Sequence, residues 1–223
     1  MKDSNAGLAQ RPYAPPPDPV EVLHCDDRLL VVNKPSGLLS VPGKPAEMAD
    51  CLERRLKRAY PGALLVHRLD MDTSGVMVFA RKPSVQRHLN LQFERRLVRK
   101  TYIAEVWGEV AGAAGRIDLP LVVDWPNRPL QMVCHVRGKA AITDWQVIGR
   151  APGQTRLLLA PQTGRSHQLR VHLLSMGHPI IGDVFYAKGA ALAAAPRLLL
   201  HAQSLAFSDV DGAAREFHCP CPF

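Results

Sequence analysis

Apolar positions along the chain fall mostly into short runs separated by Pro, Gly and Asp, with three stretches at helical spacing. Residues 20–24 and 28–33 are two such runs on either side of Asp26 and Asp27, and predict a hairpin. Lys34-Pro35-Ser36-Gly37 then forces a turn. Residues 47–60 predict a helix with Met48, Cys51, Leu52 and Leu56 on its apolar side. Arg54, Arg55, Lys57 and Arg58 stay in solvent, and Pro61-Gly62 ends it. Residues 63–66 and 75–80 predict strands, with 67–74 as the loop between them. Residues 84–97 predict a second helix, with Leu89, Phe93 and Leu97 at i, i+4 spacing.

Residues 101–107 alternate as a strand, and 119–129, with three prolines, reads as a loop. Residues 141–148 and 155–160 predict strands. Residues 166–176 predict a third helix, ended by Gly177. Residues 198–200 and 204–207 complete the strands. Strands outnumber helices and several are hairpin-like, so the pattern predicts an α+β fold on a mixed, largely antiparallel sheet. Residues 1–19 carry five prolines and few apolar positions, and predict a flexible, polyproline-like arm ahead of one domain over 20–223.

The chain has 223 residues, 47% hydrophobic and 22% charged, a globular balance. At this length roughly 70% of the extended surface is buried, enough for one substantial core. No stretch approaches ~18 consecutive apolar residues, so no membrane span is expected. The N-terminus lacks the apolar centre of a signal peptide. Five irregularly spaced cysteines predict reduced thiols and a cytoplasmic protein. No coiled-coil heptad appears, so a monomer is expected. Lys plus Arg outnumber Asp plus Glu by 28 to 20, a net charge of +8 that favours an anionic partner, nucleic acid first.

Three clusters can carry chemistry. The first is the polar loop His67-Arg68-Leu69-Asp70-Met71-Asp72-Thr73-Ser74-Gly75 between two apolar strands. Asp70 there can be a nucleophile, a base or a turn-former. Thr73 and Ser74 can bond the loop backbone or a phosphate, and Gly75 permits a close approach. The second is Gly164-Arg165-Ser166-His167-Gln168-Leu169-Arg170-Val171-His172. Thr163 or Ser166 can cap its helix, on which Ser166 and Arg170 share a face. Arg165 sits at the helix mouth, where N–H groups attract anions. His167 and His172, at i, i+5, are poorly spaced for one metal ion. Arg170 lies among apolar neighbours and requires a carboxylate or phosphate partner, with Asp70 a candidate. The third is Arg99-Lys100-Thr101-Tyr102, in which Tyr102 can be core or can present its ring to a base. The tail His218-Cys219-Pro220-Cys221 lacks the usual Cys-x2-Cys ligand spacing. Neither a Walker A sequence nor Gly-x-Gly-x-x-Gly is present.

Taken in order, these clusters resemble the RluA-type pseudouridine synthases. The resemblance rests on Lys34-Pro35-Ser36-Gly37, His67-Arg68-Leu69-Asp70 with Thr73-Ser74-Gly75, Lys100-Thr101-Tyr102, and Gly164 through Gly177-His178-Pro179-Ile180 to Gly182-Asp183. It runs from about Val20 to the C-terminus, and the His67–Gly75 loop is its most specific part. Asp124-Trp125-Pro126-Asn127-Arg128-Pro129, Phe185-Tyr186-Ala187 and Arg197-Leu198-Leu199-Leu200-His201-Ala202 resemble the subgroup that acts on both large-subunit rRNA and a tRNA. The resemblance implies two subdomains with a central cleft, no cofactor and no metal. It implies Asp70 as the catalytic aspartate, Tyr102 as the tyrosine that packs on the base and helps remove its C5 proton, and Arg170 as the arginine paired with Asp70. It implies that Arg68 enters the RNA stack as the uridine leaves. Thr73, Lys100, Arg165 and His167 complete the expected RNA-binding set. Many relatives carry an S4-like RNA-binding domain ahead of this one; here none is expected. Two other classes stay open from the residues alone. One is a catalytically silent RNA-binding protein on the same fold. The other is a metal-dependent hydrolase using His67, Asp70, His167 and the cysteine tail.

Overall fold

A computed structural model describes residues 12–223. In chain order its elements are β1 (Glu21–Cys25), β2 (Leu29–Lys34), α1 (Leu52–Ala59), β3 (Leu64–Leu65), β4 (Ser74–Ala80), α2 (Pro83–Glu94), β5 (Arg99–Trp107), β6 (Ala114–Asp118), β7 (Leu121–Val123), β8 (Gln131–Val133), β9 (Ile142–Ala151), β10 (Gln154–Pro161), α3 (Gln168–Ser175), α4 (Gly189–Ala193), β11 (Leu200–Ser208) and β12 (Ala214–His218). One ten-stranded sheet runs β1-β2-β4-β11-β5-β10-β9-β6, with β3 on β4 and β12 on β11. Only β4 and β11 pair in parallel; the other neighbours are antiparallel. This is the mixed, largely antiparallel α+β sheet that the pattern predicts.

The sheet has a seam. β4 and β11 share only the pairs His201–Ser74 and Ala202–Gly75. Beyond them β3 continues the edge of β4, and β12 that of β11. One core cluster gathers β2, β4, α1 and α2; another gathers β5, β10 and α3. Tyr102 packs against both. The parallel contact at the seam depends on Gly75, whose φ is +119° and where a Cβ would stand 2.2 Å from the carbonyl oxygen of Ala202. Beside it, Arg197 donates to the Ser74 hydroxyl (2.6 Å), which bonds His201 Nδ1 (2.9 Å), and His201 Nε2 reaches the Cys219 carbonyl (3.0 Å).

Several sequence expectations shift. The helix expected over 47–60 is a 3-10 turn, Ala46–Met48, followed by α1. Cys51 is extended between them, and its sulfur accepts the Arg54 N–H, so Met48 falls off the helix. Arg55 does not stay in solvent: it folds back onto Asp50 through two hydrogen bonds, at 2.9 and 2.6 Å. The second helix stops at Glu94, not Leu97. Arg96 takes φ +60°, and the Arg96 and Leu97 N–H groups cap the Phe93 and Gln92 carbonyls, leaving Leu97 exposed. The third helix starts at Gln168, so Ser166 lies ahead of it and shares no face with Arg170. The loop over 119–129 contains β7, which pairs with β8 in a separate small sheet. Residues 198–200 and 204–207 do not form two strands; β11 is one strand with a register shift at Ala202/Ser204. Of the expected arm, residues 1–11 lie outside the described residues. Over 12–19 the chain carries no helix or strand, yet Tyr13 ties it down. Its hydroxyl donates to the Asp50 carbonyl and accepts the Leu39 N–H.

Candidate active site

The turn after β2 is a shelf for the loop over 67–73. Lys34 is fully buried, and its ammonium donates to the carbonyl oxygens of Pro35, Leu38 and Met71 at 2.9, 2.7 and 2.8 Å. The Ser36 hydroxyl donates to the Asp72 carbonyl (2.7 Å), and the Gly37 N–H to that of Met71 (2.9 Å). The Ser40 hydroxyl donates to the Leu69 carbonyl and accepts the Leu69 N–H. The Thr73 N–H closes the loop onto the Asp70 carbonyl (3.2 Å). The sequence marks 34–37 as a turn; its bonds hold Met71 and Asp72 on one side of Asp70, and Ser40 holds Leu69 on the other.

All eight site residues named from the sequence line one cleft of about 610 Å³: Arg68, Asp70, Thr73, Lys100, Tyr102, Arg165, His167 and Arg170. That lies within the usual size of a ligand-binding cleft. They come from the 67–73 loop, from β5 and from the entry to α3, so the cleft lies across the seam of the sheet. Arg68 is exposed at its mouth. Thr73 is only 2% exposed although it lines the cleft, and the bond it makes is that of its N–H to the Asp70 carbonyl. Arg165 is part-buried, with Nε on the Ala140 carbonyl (3.1 Å).

Arg170 is 2% exposed and its first partner is not Asp70. Nε and Nη2 form a fork on Asp183, at 2.8 and 2.6 Å, while Nη1 stands 3.5 Å from Asp70 Oδ2. Asp183 is fully buried and also accepts the N–H groups of Phe185 and Tyr186. Burial alone would lower the Arg170 pKa; the Asp183 hydrogen bond and charge reverse this and raise it, so the group is a permanent cation. Reading the sequence assigns Asp183 no role. The signal was available: a buried arginine needs a carboxylate fully committed to it, whereas a reactive one must keep an oxygen open.

Asp70 meets this second condition. Arg170 Nη1 (3.5 Å) and His167 Nε2 (4.0 Å) both approach Oδ2, and Oδ1 accepts no hydrogen bond from the described residues. Burial, with a further push from the Asp70 charge, drives the Tyr102 phenol pKa well above its ordinary value. The neutral phenol is therefore what Tyr102 offers the cleft. Burial also lowers the Lys100 pKa. His67 is fixed by accepting the Val78 N–H at Nε2 (3.2 Å) and by stacking on Phe93 at 4.6 Å. At the tail, Cys219 is buried with its N–H on the Gln203 carbonyl, and His218 pairs with Glu216. Among the described residues no group of three His, Cys, Asp or Glu side chains could hold a metal ion. No described helix is long and apolar enough to cross a membrane.

Burial leaves four histidines with lowered pKa values: His67 (to about 3), His167, His172 and His201. Their folded values lie below the ordinary 6.5, so the unfolded chain binds more protons than the folded one once pH drops past that value. The stability they contribute is complete above pH 6.5 and is lost as pH falls toward the folded values. His67, whose value falls to about 3, adds a slope approaching about 1.4 kcal/mol per pH unit, and the other three act in the same direction. Urea unfolding at pH 7.5 and 5.5 should show the midpoint falling at the lower pH; an unchanged midpoint would contradict this reading of the four rings.

Comparison with known proteins gives the family. Residues 28–175 match the family model for RNA pseudouridylate synthase. The dual-specificity RNA pseudouridine synthase RluA of Escherichia coli K12 is 51% identical over 214 residues, covering 95% of this chain and 98% of that protein. Its Yersinia pestis counterpart is 54% identical over 204 residues, covering 91% and 99%. Among solved structures, human RNA pseudouridylate synthase domain containing 1 superposes with a TM-score of 0.76 at 27% identity, covering 92% of this chain and 84% of that one. The chain belongs to the RNA pseudouridylate synthase family, isomerases that convert uridine in RNA to pseudouridine.

Proposed function

We propose that Asp70, Tyr102 and Arg170 carry out this isomerisation on unpaired uridines in a large-subunit rRNA stem-loop and in a tRNA anticodon stem-loop. The observation that carries the reading is the open Oδ1 of Asp70 in this cleft, with a fixed cation on the other oxygen. In the reaction the N1–C1′ bond breaks, C5 bonds to C1′, the C5 proton leaves and N1 gains one. No electron is gained or lost, so the atoms balance without a redox partner. Asp70 serves as a carboxylate in each route open to it: attack on the sugar, attack on the base, or removal of a sugar proton. Arg170 is its counter-charge as RNA displaces water. The Tyr102 ring holds the loose uracil while it rotates.

Extruding the uridine costs a few kcal/mol, which favours an unpaired loop nucleotide. Arg68, exposed beside Asp70, fills the space it leaves. Lys100 and Arg165 meet phosphates at the cleft wall, and the exposed Arg54, Lys57, Arg58, Arg87, Arg95 and Arg96 extend the positive surface. Two RNA classes are supported by the relatives named as dual-specificity enzymes. The enzyme acts as a monomer in the cytoplasm, with RNA as its partner. Incubation with each stem-loop, digestion and chromatographic separation of the nucleosides tests the substrates; separation is essential because uridine and pseudouridine have equal mass. Pseudouridine should appear in both. Its absence from the tRNA stem-loop would overturn the dual assignment.

A further inference from the structure

His167 lies at the N-terminal end of α3 with φ +53° and ψ +18°, a left-handed conformation costly for a side chain that bears a Cβ. Its ring lines the cleft. The Nδ1 atom is 2.7 Å from the Tyr186 hydroxyl. That hydroxyl already accepts the Gln131 N–H (2.9 Å), and among the described residues His167 Nδ1 is the partner left for its own proton, so we assign Tyr186 as the donor to Nδ1. Nδ1 is thereby the acceptor, and the ring proton sits on Nε2, the atom 4.0 Å from Asp70 Oδ2. Phe185 stacks on the ring at 5.6 Å and Tyr186 meets it edge-on. The charged groups around the ring are Asp70, Arg170 and Asp183; burial outweighs the pull of the two carboxylates and keeps the ring neutral.

We propose that His167 is a positioning residue for the carboxylate: its Nε2–H, oriented by Tyr186, closes on Asp70 Oδ2 when the uridine enters, and with Arg170 Nη1 it pins that oxygen so that Oδ1 faces the ribose. Both donors address the same oxygen, which leaves the other unencumbered for reaction. The 4.0 Å separation is longer than a hydrogen bond, and catalytic hydrogen bonds tighten when substrate binds. This differs from direct RNA contact, the task that the sequence resemblance implies for His167. It rests on Asp70 being the reacting carboxylate.

Two substitutions of equal chemistry and different reach test it. Asn tolerates the left-handed backbone but is too short to reach Asp70; Gln places an amide N–H near the position of Nε2. His167→Asn should lower kcat by about 10-fold or more at unchanged KM, the effect of losing alignment at the reacting group. His167→Gln should restore most of the rate. Tyr186→Phe, which keeps the ring but removes the orienting proton, should lower kcat in the same way, and Tyr186→Phe with His167→Asn should be no slower than His167→Asn alone. A rise in KM at constant kcat would overturn the proposal in favour of RNA contact. Equal loss in the Asn and Gln variants, or additive losses in the double variant, would also overturn it. Asp70→Asn run alongside separates the failures: if that variant remains active, the assignment of Asp70 falls first.

Discussion

Asp70→Asn should fold as the wild type, bind stem-loop RNA with the same affinity, and form pseudouridine slower by about 10³-fold or more, the scale of losing a reacting carboxylate. The side chain is one-third exposed and makes one long contact with Arg170, so little stability depends on it. Asn is of equal size and its carbonyl oxygen can still face Nη1. What it lacks is the negative charge that every route through this cleft requires. Single-turnover chromatography of nucleosides, beside a salt-matched binding titration, reads both quantities. A variant that kept the wild-type rate would show that the open oxygen of Asp70 has no part in the chemistry.

The second large effect is on stability and activity together. Arg170→Met should destabilise the fold by about 3–5 kcal/mol, because it strands the fully buried Asp183 carboxylate without its cation. Pairing it with Asp183→Asn should recover much of that loss, since no unpaired charge then remains. The neutral amide that Asp183→Asn introduces can still accept one of the two backbone N–H groups that now end on Asp183 Oδ1. Activity should not recover in the double variant, because Asp70 still lacks its counter-charge. Urea unfolding and turnover on the same samples check the separation. An Arg170→Met protein as stable as wild type would contradict the buried pair. Recovery of turnover in the double variant would remove Arg170 from the chemistry.

The residues that line the cleft were largely legible in the sequence because they fall in three short segments, 67–75, 99–102 and 164–172, that together carry the family resemblance; taken alone, Asp70 reads as a turn-former as readily as a reacting group. Their supports were not legible. Asp183 lies thirteen positions beyond Arg170, and nothing in spacing alone says which carboxylate a buried arginine takes. Lys34 reads as a turn neighbour, yet its ammonium ends on the Met71 carbonyl in the loop over 67–73. Two helix boundaries shifted where a residue other than glycine takes a left-handed conformation, and a third where Cys51 is extended. Arg96 ends α2 early and His167 delays α3, and neither carries a propensity signal for it. Gly177 does carry one, and the end of α3 follows it. β12 was missed because its residues alternate exposed and part-buried along a strand whose partner, β11, supplies most of the apolar surface. The burial of Thr73 beneath the cleft depends on the whole fold and has no signal in the loop's own sequence.

Release of tritium from C5-labelled uridine in the two stem-loops tests the central claim most directly, because a C5 glycoside cannot form without expelling the C5 hydrogen. The wild-type chain should release tritium in step with pseudouridine formed, and Asp70→Asn should release none above background. Salt-sensitive binding of both RNAs by the wild-type chain with no tritium released would contradict the account and leave a protein that holds RNA without isomerising it.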